Sequence, residues 1–324
     1  AAEAESGRVL LCQARARSDL VVEVRQVSRA GSGVAAEGGI AAGTPVEEVE
    51  IRRLPCRIDA KQLLAPDVMQ LWLRLPATES LPFRAGQYLD VLLDGGRRRS
   101  FSIASPPHDA ARLELHVRRA PGSGFTAALF DALPAGSLLR IAGPIGQFAY
   151  EPSAAPLLLI AGGSGFAPLK GMLRHVLEAE RTARPVRLYW GARVAGGVYE
   201  AALLREWAAV HPNFRFVAVL SGAVAGTVAD ADADADANAG AGAGAGAEAE
   251  AGVASVQPSR AAGIDWREGW VHEVAARELG ASLAAHDVYV AGPPALVEAV
   301  REAYPALGVP AENIHFDSFD YAPR

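Results

Sequence analysis

Cysteine is nearly absent: Cys12 and Cys56 are the only two in 324 residues. Two thiols cannot build a disulfide framework or complete a metal or iron–sulfur ligand set, and they suit a reducing compartment. No apolar run approaches the ~20 residues needed to cross a bilayer. The longest lies near residues 157–161. The opening residues 1–8 are small and acidic and lack the basic-then-apolar pattern of a secretory signal. Basic residues are not in excess either; the formal net charge of −6 disfavours nucleic acid as a partner. A cytoplasmic enzyme with no membrane association is the expectation.

What is present fits two ordinary domains: enough length for two cores, 50% hydrophobic residues and five Trp. Residues 30–44 are rich in Gly, Ala and Ser and read as linker. Residues 229–252 run ADADADADANAGAGAGAGAEAEAG, with no large apolar side chain and with repeated carboxylates that repel one another. They read as a disordered insertion, placed at about 223–259.

The rest of the chain has two textures. Between residues 51 and 150, short alternating apolar runs at 68–75, 88–93, 100–104, 112–118 and 138–142 are separated by turns, with a hairpin signal at Asp94-Gly95-Gly96. A single helix at 125–133 is opened by Ser123 and Thr126 and closed before Pro134. That is the pattern of a small antiparallel β-barrel. From residue 156 onward, strands at 157–161, 186–190, 214–220 and 287–291 alternate with helices at 168–179, 201–210, 271–279 and 294–304. This predicts an α/β domain with a doubly wound parallel sheet.

Several turns carry chemistry. The strand at 157–161 runs through Gly162-Gly163-Ser164-Gly165 into a helix, a junction that offers free amides and a partial positive charge to a pyrophosphate. Pro168 stands where the dinucleotide fingerprint has Gly. A second turn, Gly292-Pro293-Pro294, follows the strand at 287–291, and ligands in such sheets sit outside the carboxyl ends of the strands. In the barrel, alternation places Arg99, Phe101 and Ile103 on one face and Ser100, Ser102 and Ala104 on the other. A guanidinium can clamp phosphate, and an aromatic ring can stack on a flat heterocycle. His116-Val117-Arg118 leads through Gly122-Ser123-Gly124 to Thr126, another helix start suited to phosphate. Each fragment alone has an ordinary reading too: a tight turn, a capped helix, or solvated arginines beside a core Phe.

Taken in order, residues 99–102, 121–126, 143–146 (Gly-Pro-Ile-Gly), 162–168 and 291–294 resemble the ferredoxin–NADP reductase superfamily from about residue 51 to the C-terminus. The resemblance implies a flavin-binding barrel at 51–152 and an NAD(P)-binding α/β domain at 153–324. It implies that Arg99 holds flavin phosphate, that Phe101 stacks on the isoalloxazine, and that Ser102 lies near its reactive N5. His116, Val117, Arg118, Ser123, Gly124 and Thr126 would line the rest of the flavin site. Gly163, Ser164, Gly165, Gly292 and Pro293 would contact the nicotinamide nucleotide. The sequence departs from the family pattern where Phe101 replaces the usual Tyr, Ala291 replaces a Cys, and Ser123-Gly124 stands where Gly and a basic residue are common. The C-terminal His315-Phe316-Asp317-Ser318-Phe319 resembles the family's closing strand and makes Asp317 a second catalytic candidate beside Ser102; the plainer reading buries Phe316 and Phe319 in the core.

Near the N-terminus, residues 7–14 and 18–21 resemble the end of a plant-type [2Fe–2S] ferredoxin domain, with Cys12 matching the last cluster ligand. The other ligands are missing, so residues 1–27 read as the remnant of a truncated ferredoxin domain, joined by a linker at 28–50. The cluster is expected only in a full-length form. The literal alternative is a structural Cys12; Cys56 reads as core. Relatives with such a domain include oxygenase reductases and CDP-6-deoxyhexose dehydrase reductases. The implied function is an NAD(P)H-dependent flavoprotein reductase using FAD, with FMN as the other flavin, and passing electrons to an iron–sulfur protein or domain. NADH is favoured over NADPH on resemblance alone, and Arg193 is placed where it would meet the adenosine ribose or a 2′-phosphate. The alternative of another class is a non-catalytic flavin- or nucleotide-binding module that has lost its electron path.

Overall fold

The computed structural model describes residues 50–110, 112–120, 122–222 and 263–319. The expected N-terminal remnant with Cys12 and the acidic insertion lie outside the described residues.

The first sheet is antiparallel and has six strands: β1 (Arg52–Ala65), β2 (Val68–Arg74), β3 (Tyr88–Leu92), β4 (Arg98–Ser102), β5 (Arg112–Arg118) and β6 (Leu138–Ile145), in the order β4-β3-β6-β1-β2-β5. The two ends of that order meet. An isolated bridge joins Ile103 to Leu115, and the Ala104 amide donates to the Glu114 carbonyl at 2.8 Å, so the sheet curls into a barrel. Leu71, Leu73, Leu89, Ile103, Leu113, Leu115 and Val117 fill its interior. Cys56 joins them, and burial pushes its thiol up to about 12. The turn at Asp94–Gly96 is closed by Leu93 donating to the Arg97 carbonyl at 2.8 Å. Helix α1 (Gly124–Asp131) follows β5, with Ser123 as its N-cap accepting from the Thr126 amide at 3.4 Å.

The second sheet is parallel throughout: β7 (Leu157–Gly162), β8 (Val186–Ala192), β9 (Phe214–Leu220), β10 (Asp265–Glu268), β11 (Asp287–Gly292) and β12 (Ile314–Ser318), in the order β10-β9-β8-β7-β11-β12. Period-two alternation along β7 sends Leu157, Leu159 and Ala161 into one core and Leu158 and Ile160 into another. The first core is covered by helices α2 (Phe166–Arg174) and α3 (Ala201–Val210); the second is covered by α4 (Val271–Leu279) and α5 (Pro294–Ala306). This is the doubly wound architecture expected from the sequence. Beyond Arg174, the helix expected to run to 179 continues as a π-helix over His175–Ala179. One side-chain expectation is corrected: Phe316 is not core but 42% exposed, with the Arg301 guanidinium 4.5 Å over its ring. Among the described residues, no helix is long and apolar enough to cross a membrane.

Candidate functional site at the carboxyl edge of the parallel sheet

The chain leaves β7 for β8 on one side and later returns as β11 on the other, so the strand order reverses between β7 and β11. At such a switch point the loops diverge and leave a crevice. The turn Gly163–Gly165 and the turn Gly292-Pro293 flank it, and they pack backbone against backbone. A Cβ on Gly165 would lie 2.0 Å from the Ala291 carbonyl oxygen, and Gly292, at φ +151°, sits where a Cβ would meet the Gly162 backbone at 3.0 Å. Trp190 holds the first turn from behind: its indole N–H donates to the Gly163 carbonyl at 2.9 Å and its ring stacks on Phe166 at 4.1 Å. The Gly163–Gly165 turn that leads into α2 and the partly exposed Ser164 therefore border the crevice. Pro293 is exposed beside them.

The barrel presents its own polar groups to this edge. On β4, the Ser100 hydroxyl donates to Asp90 Oδ1 at 2.6 Å, whereas the Ser102 hydroxyl donates across to Asp317 Oδ2 on β12 at 3.3 Å. Burial pushes the Asp317 carboxyl up to about 6, the Ser102 hydrogen bond opposing it. Arg118, at the end of β5, carries its guanidinium over the Gly163 turn, with one Nη 3.2 Å from where a Gly163 Cβ would stand; its Nε lies 3.3 Å from Asp67 Oδ2. Phe101 is half-buried, 6.0 Å from Phe125 between ring centroids. Thr126 braces the start of α1 by accepting from the Ala120 amide at 3.1 Å, and Gly124 faces open space. Arg99 is partly exposed on β4, and its guanidinium has no hydrogen-bond or ion-pair partner among the described residues.

The residues singled out from sequence thus divide. Arg99, Phe101, Ser102, Ser123, Gly124 and Thr126 belong to the barrel; Gly163, Ser164, Gly165, Gly292 and Pro293 belong to the crevice. The Ser102–Asp317 pair and Arg118 span the seam between them. Val117 does not offer its side chain to it, and His116 crosses it only at depth, to Tyr199, away from the crevice. Val117 is in the barrel core, and the His116 imidazole is fully buried, its Nδ1 3.0 Å from the Tyr199 hydroxyl and its Nε2 3.0 Å from Glu114 Oε1.

Sequence reasoning missed Glu114, Lys170, Tyr199 and Glu200, which surround His116. A signal existed. Glu114, His116 and Arg118 share one face of β5, and Lys170 interrupts the otherwise apolar Phe166–Leu173 stretch of α2. Against the burial that would raise it, the hydrogen bond from His116 and the Lys170 charge bring the Glu114 carboxyl down to about 2.

A flavin-type barrel followed by a doubly wound nucleotide domain, with polar groups converging on their seam, defines the class of two-domain flavin–nicotinamide reductases. Residues 55–150 match the oxidoreductase FAD-binding domain family and residues 159–233 the oxidoreductase NAD-binding domain family. The chain belongs to the ferredoxin reductase-like FAD/NAD-binding oxidoreductases and is an NAD(P)H-dependent flavoprotein reductase. It is 31% identical over 319 residues to the terephthalate 1,2-dioxygenase reductase component 1 of a Comamonas species, spanning 98% of this chain and 79% of that protein. It is 39% identical over 227 residues to the aromatic O-demethylase reductase subunit of an Amycolatopsis species, spanning 68% of this chain and 62% of the relative. Among solved structures, the Amycolatopsis cytochrome P450 reductase GcoB superposes with a TM-score of 0.67 at 32% identity, covering 85% of this chain and 72% of that one.

Proposed function

We propose that this reductase binds FAD along β4, β5 and the start of α1, takes hydride from NADH in the crevice between β7 and β11, and delivers electrons to an iron–sulfur acceptor of an oxygenase or deoxysugar dehydrase system. The observation that carries the reading is the seam: Arg118 of the barrel reaches the Gly163 turn at the switch point, and Ser102 of the barrel bonds Asp317 of the parallel sheet. The residues fit a flavin dinucleotide. The Arg99 guanidinium, without a partner among the described residues, is the cation for a flavin phosphate. Gly124 leaves open the space at the capped N-terminus of α1, where a second phosphate would find amide donors. Phe101 supplies the ring for the isoalloxazine edge, in place of the tyrosine common in the family.

The bound flavin supplies the redox chemistry, accepting a hydride and releasing electrons singly. The protein positions, excludes water and handles protons. Arg118 places a positive charge between flavin strand and nucleotide turn, where the dinucleotide's pyrophosphate would lie. Gly163–Gly165 lets that pyrophosphate approach the start of α2. Ser102 Oγ and Asp317 Oδ2 form a short proton path, and a carboxyl raised to about 6 can hold or release its proton near neutral pH. Relatives named as reductases of a dioxygenase, a demethylase and a CDP-hexulose dehydrase support an acceptor within a multicomponent system.

The test is a fluorescence titration of the flavin-free protein with FAD and with FMN, followed by NADH-driven reduction of a plant-type [2Fe–2S] ferredoxin. Tight FAD binding with NADH-dependent ferredoxin reduction supports the reading. Absence of flavin binding overturns it, and ferricyanide reduction without ferredoxin reduction overturns the iron–sulfur acceptor.

A further inference from the structure

The seam between barrel and nucleotide domain contains a cluster of charges sealed from solvent. Lys170 Nζ lies 2.7 Å from Glu114 Oε1 on the barrel strand β5 and 2.6 Å from Glu200 Oε1 just before α3. Side-chain exposures are 5% for Lys170, 1% for Glu114 and 9% for Glu200. Gln70 on β2 donates to Glu114 Oε1 at 2.5 Å, and His116 links Glu114 to the Tyr199 hydroxyl. Ligand atoms of Glu114, His116 and Glu200 lie within 4.8 Å of one another, the spacing of a metal site, but the Lys170 ammonium already bridges both carboxylates. It is the cluster's own cation.

A buried ion cluster is weak evidence of added stability. Taking three charged groups out of water opposes folding, and well-packed apolar residues in their place are often neutral or better. What ion pairs add over apolar packing is a defined geometry. The geometry at stake here is that of α2, which begins at the Gly163–Gly165 turn and carries Lys170 about one turn further on. Directly after it, Gly171 brings the helix backbone against the barrel: a Cβ there would lie 2.9 Å from the Ser105 carbonyl oxygen and 3.1 Å from that of Ile103. Gly171 sets how closely the packed helix approaches the barrel, and the Lys170 bridge is a second tie directly beside that contact.

We propose that Lys170 is a positioning residue for hydride transfer: held between Glu114 of the barrel and Glu200 of the nucleotide domain, it fixes the nucleotide turn relative to the flavin strand. The proposal rests on the reductase reading given above. Displacing reacting atoms by about 1 Å can slow a reaction ~100-fold, so a small rotation of α2 is enough to matter.

The experiment compares Lys170→Met and the milder Glu200→Gln with the wild type, each loaded with FAD. Both variants are expected to keep FAD and to be bleached at saturating NADH at least about tenfold more slowly, with the NADH half-saturation concentration changed less than about twofold. Reoxidation of the dithionite-reduced proteins by ferricyanide is expected to be unchanged, because that step needs no nicotinamide alignment. In the flavin-free proteins, amide hydrogen exchange over residues 112–118 and 166–174 is expected to rise in the variants, a readout independent of turnover. If Lys170→Met fails to fold, Glu200→Gln decides alone. Unchanged bleaching and exchange overturn the proposal, as does a parallel loss of FAD binding and reoxidation, which marks a merely structural role. A wild type that no nicotinamide bleaches overturns the reductase reading instead, and positioning with it.

Discussion

Asp317 is the residue whose environment says most about its use. In the folded protein its carboxyl is raised to about 6 from an ordinary 3.8, so the folded state favours the acid form. Its stabilising contribution is complete below about 3.8 and is lost as pH rises through about 6. Asp317→Asn is therefore expected to raise the melting temperature well above pH 6 and to leave it almost unchanged near pH 4, read by thermal denaturation across that range. If the Ser102–Asp317 pair handles a proton in turnover, the wild-type rate of flavin bleaching changes across about pH 6 and that of the variant does not. Arg99 gives a complementary prediction. Removing a charge-assisted phosphate contact costs about 1.5–3 kcal/mol, so Arg99→Ala is expected to weaken FAD roughly 10- to 100-fold in a fluorescence titration. An unaltered affinity would remove Arg99 from the flavin site. Glu114 behaves oppositely to Asp317: its carboxyl, lowered to about 2 from 4.5, stabilises the fold above about 4.5 and loses that contribution as pH falls toward about 2.

At the scale of elements, the glycine turns are the most exacting part of the fold. Gly165→Ala forces a Cβ to within 2.0 Å of the Ala291 carbonyl, a backbone atom that cannot rotate away. A loss of about 1–3 kcal/mol in denaturant unfolding is expected, together with a weakened response to NADH in a protein that still binds FAD. Loss of both cofactors together would contradict the assignment of this turn to the nucleotide. Elements built on strong local patterns were legible in the sequence: β5 at Arg112–Arg118, β9 at Phe214–Leu220, α3 at Ala201–Val210 and α4 at Val271–Leu279 have the bounds expected of them. The long strand β1 was not legible, because only Leu54, Cys56 and Ile58 alternate into the core, Pro55 sits among them, and the rest of the strand is held by pairing to β2 and β6. The short strand β10 pairs, among the described residues, only with β9 and carries no periodic signal. The buried cluster was hidden for a related reason. Glu114 and His116 alternate with Leu113, Leu115 and Val117 as solvent-facing residues would, and only the docking of α2 over that face reveals them as buried.

At the scale of the whole molecule, the two sheets correspond to the FAD-binding and NAD-binding domains of an NAD(P)H-dependent flavoprotein reductase, and the proposed site lies where they meet. The barrel brings Arg99, Phe101 and Ser102 on one strand; the parallel sheet brings its glycine turns and Asp317. Arg118, the Ser102–Asp317 pair and the Lys170 bridge cross between them, so a nicotinamide in the crevice would face a flavin on β4. The most direct test of that arrangement is an anaerobic visible-absorbance titration of the FAD-loaded chain with NADH. The oxidised flavin band near about 450 nm is expected to bleach with about one equivalent of NADH. A protein that holds FAD firmly but shows no bleaching with NADH or NADPH would contradict hydride transfer across the seam and leave a flavin-binding module in its place.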